Sequence, residues 1–210
     1  MSNNLMDLLQ GQLSEGLIDQ LSQQLGGADR QQTAAAASGV MSTLVTALAR
    51  NASTPEGAES LSNALDRDHD GGLLDNVMSL FGNQTQVAPQ QERALNGQGI
   101  LNHILGDRQS SAANMISQFS GLDSNKTGSL MTMLAPMVMS MLGKQKKTQG
   151  LDVSSLVSLL SGTVSQAKTS NANPAMGMIT SFLDQDGDGS ITDDVANVGM
   201  KFLGNLFRRK

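Results

Sequence analysis

The sequence predicts an all-α protein, a multihelical array built by internal duplication, each half ending in an acidic Asp-x-Asp-x-Asp-Gly loop. Three observations carry this expectation. Apolar residues recur at helical spacing along the whole chain. The stretch Gln20–Arg50 lies over Asn114–Lys144 without a gap, a constant separation of 94 positions (123 − 29 = 94 for the aspartates Asp29 and Asp123). The acidic strings "DRDHDG" and "DQDGDG" recur in the same place relative to the helices, one in each half.

The elements follow in order. Leu5, Leu9, Leu13, Leu17, Leu21 and Leu25 form a stripe widened by Met6, Leu8 and Ile18, and Gly11 and Gly16 divide it into two helices. After the stop at Gly26 and Gly27, Asp29 is placed to cap the next helix, with Gln32 three residues on in a capping-box spacing. Thr54 caps a helix that begins at Pro55, where a missing N–H costs nothing, and that is expected to end at Leu65. The polar, proline-bearing "GNQTQVAPQQE" is the linker, after which the pattern returns: Leu21 matches Met115, Thr33 matches Thr127 and Leu48 matches Leu142. The string "SLSNAL" before the first acidic loop finds its counterpart in "SLVSLL", Ser155 to Leu160, and an added segment then delays the second loop. The expected organisation is a first repeat over 1–82 with its loop at 66–75, a linker over 83–93, and a second repeat over 94–210 with its loop at 184–193. Short runs such as "GSIT" are too brief for a sheet.

Composition narrows the chemistry. A chain of 210 residues with 39% hydrophobic residues builds its own core, and the absence of Cys removes disulfides, thiolate metal sites and cysteine nucleophiles. A net charge of −5 argues against nucleic acid and membrane surfaces, which call for a concentrated basic face. With no Trp or Tyr and only 5 Phe, the chain lacks the stacking platforms used on single strands and sugars. The 13 Met are assigned to the core rather than to a soft partner surface. Neither a secretory leader nor a membrane-spanning run is legible, so a cytoplasmic protein is expected.

The acidic loops carry the metal expectation. Asp184, Asp186 and Asp188 occupy positions one, three and five of an EF-hand-type loop, Gly189 position six, and Ser190 position seven, where the ligand is a backbone carbonyl. Asp66, Asp68, Asp70, Gly71 and Gly72 repeat the arrangement. Three carboxylates this close repel one another unless a cation holds them. Position twelve, normally a bidentate Glu, is Val195 in one loop and Val77 in the other, and both loops have Asp at position ten, Asp193 and Asp75. A shared departure points to a loop shortened by two, of the form D-x-D-x-D-G-x-x-x-D, in which Asp193 and Asp75 close the site. The ligand set is all oxygen, which selects a hard cation, and a flexible loop suits calcium better than magnesium. Against this stands a metal-free acidic turn at a helix start. His69, at position four, is expected to face solvent, and His103, in "ILNHIL", to lie on a helix surface or in the core.

In "LSEGLIDQLSQQLGGAD", "ALNGQGILNHILG" and "SGLDSNKTGSLMTMLAPMVMSMLGK" the chain resembles the YidB-like bacterial proteins, domain of unknown function 937. The resemblance is strongest from Ala94 to Lys144 and implies a multihelical array, with no known catalytic residues of the family to carry over; the acidic loops are not general in that family. The expected function is therefore a non-enzymatic calcium-binding helical protein whose ions brace helix junctions in support of self-assembly or of a protein partner. The alternative is a nucleic-acid-binding regulator using a helix-turn-helix over "SAANMISQFSGLDSNKTGSLMTML", in which Lys126 is the only cation near the start of the second helix. An enzyme is disfavoured by the two His, the lack of Cys and the lack of a phosphate loop.

Overall fold

The computed structural model describes residues 5–69 and 94–169, and in these it is entirely helical. The elements are α1 (Leu5–Gln12), α2 (Glu15–Gln24), α3 (Arg30–Asn51), α4 (Pro55–Asp68), α5 (Gly97–Ile104), a 3₁₀ turn at Gly106–Arg108, α6 (Gln109–Ser120), α7 (Ser124–Gln149) and α8 (Val153–Thr169). The linker and the second acidic loop lie outside the described residues.

The helices start where hydroxyl and carboxylate side chains can take up free N–H groups. The Asp29 carboxylate accepts from Gln32 N at 2.9 Å. At the matching place in the second half, Asp123 accepts from Asn125 N at 2.9 Å and from Lys126 N at 3.3 Å. Thr54 accepts from Gly57 N at 3.1 Å ahead of Pro55. The early leucine stripe breaks between Gln12 and Glu15, where Ser14 caps α2 by accepting from Leu17 N. Gly121 ends α6 in the left-handed conformation, φ +75°, which a residue with a Cβ adopts only at a cost.

Helices α3 and α7 pack together at the centre, and α2, α4, α6 and α8 surround them. Every residue of α3 from Gly39 to Ala49 and of α7 from Leu134 to Gly143 is buried, so these segments are enclosed on all sides rather than amphipathic. Two threonine hydroxyls of α3 bond back along the helix, Thr43 Oγ1 donating to Gly39 O and Thr46 Oγ1 to Ser42 O, both at 2.8 Å, whereas Ser140 Oγ of α7 is buried without a partner among the described residues. Met41, Met131, Met137, Met139 and Met141 are in the core, as the composition led one to expect. Helices α4 and α8 each lie against the central helix of the opposite half, α4 on α7 and α8 on α3, and against each other. One continuous apolar cluster therefore runs from Leu5 to Val164.

Pro136 falls inside α7 and cannot supply the N–H that would bond the carbonyl of Thr132. The first residue of α5 moves into that gap. A Cβ on Gly97 would lie 1.8 Å from Thr132 O, so the Cα–H of this glycine points at the carbonyl that the proline leaves over. The same contact seats α5 on α7.

Candidate metal centre

The described part of the first acidic loop is its opening, Asp66 to His69. The helix expected to stop at Leu65 continues through Asp68, and His69 is its C-cap. The extra turn has a physical cause in two ion pairs. Lys146 of α7, whose side chain is only 10% exposed, donates its ammonium to Asp66 Oδ2 and, at 3.3 Å, to the carbonyl of Ser62. Arg67 Nε and an Nη donate to Asp68 Oδ2 at 2.9 and 2.8 Å. The hydrogen bond to Asp68, together with its charge, holds the Arg67 guanidinium above its ordinary pKa.

Residues two apart on an α-helix project about 200° apart around the axis, so Asp66 and Asp68 do not converge. One faces Lys146 and the other pairs with Arg67. Bringing both carboxylates onto one ion would require the last turn of α4 to unwind and the Lys146 contact to be given up. Of the remaining predicted ligands, Asp70, Gly72, Asp75, Asp184, Asp186, Asp188, Ser190 and Asp193 all lie outside the described residues. Among the described residues no three His, Cys, Asp or Glu side chains come together as a metal-holding group.

His69 differs from its expected place. It is buried, 4% exposed, and its Nδ1 finds no hydrogen-bond partner among the described residues. Continuing the helix by one turn rotates position four inward, since the face presented by a residue depends on where the helix stops. Burial pushes the imidazole below its ordinary pKa, against a smaller upward pull from the Asp68 carboxylate. His103 is exposed at the end of α5, on the helix surface as expected.

Sequence reading missed Lys146. Its signal was nonetheless present: the residue 94 positions earlier is Ala52, buried at 1% exposure, so a lysine stands where the other half has a core alanine. It also missed a second feature, an open cleft of about 540 Å³ between the C-terminal ends of α3 and α5 and the start of α4. Arg50, Glu56, His103 and Arg108 line it.

An all-helical domain with two enclosed central helices, and no described helix long and apolar enough to cross a membrane, is the class of protein this fold defines. The chain belongs to the family described as bacterial protein of unknown function (DUF937), whose model matches residues 7–145. That span includes the first acidic loop and stops short of the second. Comparison with curated proteins and with solved structures found no match.

Proposed function

We propose that the protein is a non-enzymatic calcium-binding helical scaffold, related within its family to the YidB-like proteins and built by duplication of one helical unit. The observation that carries the reading is the repetition of D-x-D-x-D-G-x-x-x-D at 66–75 and 184–193, one in each expected repeat. Duplication is supported by the caps: Asp29 and Asp123 both start a central helix, and Thr33 and Thr127 both bond back to the cap carbonyl, at 2.7 and 2.9 Å.

The two loops are not equal in this proposal. The second, with Asp184, Asp186, Asp188, the carbonyl of Ser190 and Asp193, is the primary ion site, with calcium preferred to magnesium. The first, with Asp66, Asp68, Asp70, Gly72 and Asp75, fills only at higher calcium, because its first carboxylate is already held by Lys146. Without a bidentate Glu the affinity is on the order of 10⁻⁵ to 10⁻³ M. The ion ties the chain beyond α8 into a fixed exit and presents it for self-assembly or to a protein partner, in a cytoplasmic setting. A recognition-helix role for α7 is not favoured, because α7 is enclosed from Leu134 to Gly143 and only its two ends face outward.

Calorimetric titration of calcium and magnesium into chelator-stripped full-length protein tests the reading. Asp186→Asn with Asp188→Asn should abolish the tighter phase, and Asp193→Asn should weaken it far more than Asp194→Asn. Absence of calcium heat in the wild-type chain up to several millimolar would remove the proposal.

A further inference from the structure

The cleft between α3, α4 and α5 has a composition unlike the rest of this acidic chain. Arg50 comes from the end of α3, His103 from the end of α5 and Arg108 from the 3₁₀ turn, while Thr54 and Ser60 add hydroxyls from the start of α4. Glu56 is the sole carboxylate on the lining. Ala47, Ile104 and Leu105 form an apolar wall beside these groups. Asn51 Nδ2 reaches the carbonyl of His103 at 3.5 Å and ties α3 to α5 at the edge of the cleft. Arg50 and Arg108 each also interact with other parts of the protein.

The matching positions of the first half carry different side chains. At positions 94 earlier, His103 corresponds to Leu9, which is fully buried, and Arg108 corresponds to Ser14. There α1 closes against α8, and the corresponding junction is packed. In the second half, α5 carries an exposed imidazole in place of a core leucine, and the space between α4 and α5 stays accessible.

We propose that this cleft is a binding site for a small phosphorylated molecule, with Arg50 and Arg108 clasping the phosphate and the Ala47–Leu105 wall taking an apolar substituent. Guanidinium forks match phosphate oxygens in a way that a point charge does not. Hydroxyls at a helix start add donors on the same side, and a pocket of this size suits a small ligand rather than a polymer. Glu56 limits the charge of the ligand by repelling an excess of anion. The inference is independent of the calcium reading, since none of these residues belongs to the acidic loops.

The test is titration of the isotope-labelled full-length chain with phenyl phosphate and with inorganic phosphate, followed by amide chemical shifts. Saturable shifts should be confined to the ends of α3 and α5 and the start of α4, with phenyl phosphate bound more tightly than inorganic phosphate. Arg50→Gln and Arg108→Gln should each weaken binding by about tenfold or more. Lys144→Gln, at the position 94 beyond Arg50, should leave it unchanged. Glu56→Gln, at an exposed site that does not threaten folding, should strengthen it several-fold. No saturable shift at the cleft, or affinity indifferent to Glu56→Gln and to whichever arginine variant folds, would overturn the assignment.

Discussion

Removing the two partners of the Lys146–Asp66 pair should have unequal consequences, and the inequality follows from their exposure. The Lys146 side chain is 10% exposed and that of Asp66 is 64% exposed. Asp66→Ala leaves a buried ammonium with the Ser62 carbonyl as its one remaining partner among the described residues. An exposed pair is worth about 0.2 to 1 kcal/mol and a broken buried pair costs about 3 to 5 kcal/mol, and a pair with one buried end falls between them. Alanine regains up to about 0.7 kcal/mol of helix propensity, and losing an acidic group from the last turn of α4 adds a favourable dipole contribution. The net expectation is a loss of about 1 to 2 kcal/mol. Lys146→Met, in contrast, keeps most of the buried stem, removes the ammonium, and leaves Asp66 largely in water, for a change within about 0.5 kcal/mol. The double substitution should resemble Lys146→Met alone. Urea unfolding followed by circular dichroism, with chelator present to exclude any ion, measures all three. In a chain of this length the Asp66→Ala loss corresponds to a melting shift of roughly 2 to 8 °C. Should Lys146→Met prove more damaging than Asp66→Ala, the argument from the buried ammonium fails.

The helix starts and the glycines give further expectations. Asp29→Ala and Asp123→Ala should each cost about 1 kcal/mol, with Asp123 the more costly because it caps two N–H groups, as read by denaturant midpoints. Asp152 has its carboxyl held below the ordinary value of 3.8 by the Ser155 hydroxyl and N–H and by the Ser154 hydroxyl. A depressed folded pKa gives stability that is complete above the unfolded value and is lost as pH falls through the folded one. Asp152→Asn should therefore lower stability slightly in the neutral region and leave the acid region little changed, which flattens the acid limb of a stability-against-pH curve. Gly97→Ala places a Cβ 1.8 Å from a backbone oxygen and should cost about 2 to 3 kcal/mol, whereas Gly128→Ala, with open space around it in mid-helix, should gain about 0.5 to 1 kcal/mol in the same thermal melts.

The helices, their caps and the core were legible because they depend on neighbours in sequence. Asp29 and Thr54 act within three residues, and the leucine stripe repeats within one turn. The end of α4 was not legible, because the residue that secures Asp66 lies 80 positions away. Local rules placed a loop at Leu65. A lysine on another helix extended the helix to Asp68, and that one turn carried His69 from the surface into the interior.

Two threonines 94 positions apart do the same structural work: Thr33 and Thr127 are each fully buried and each bond back to an aspartate carbonyl. The chemistry gathers where that agreement fails. Lys146 stands against Ala52, His103 against Leu9 and Arg108 against Ser14. A charged or titratable group at a position its counterpart fills with an apolar or small one needs either a partner or water. Lys146 takes Asp66 as its partner and fixes the end of α4, Arg108 is engaged within the protein beside the cleft, and His103 faces the accessible space.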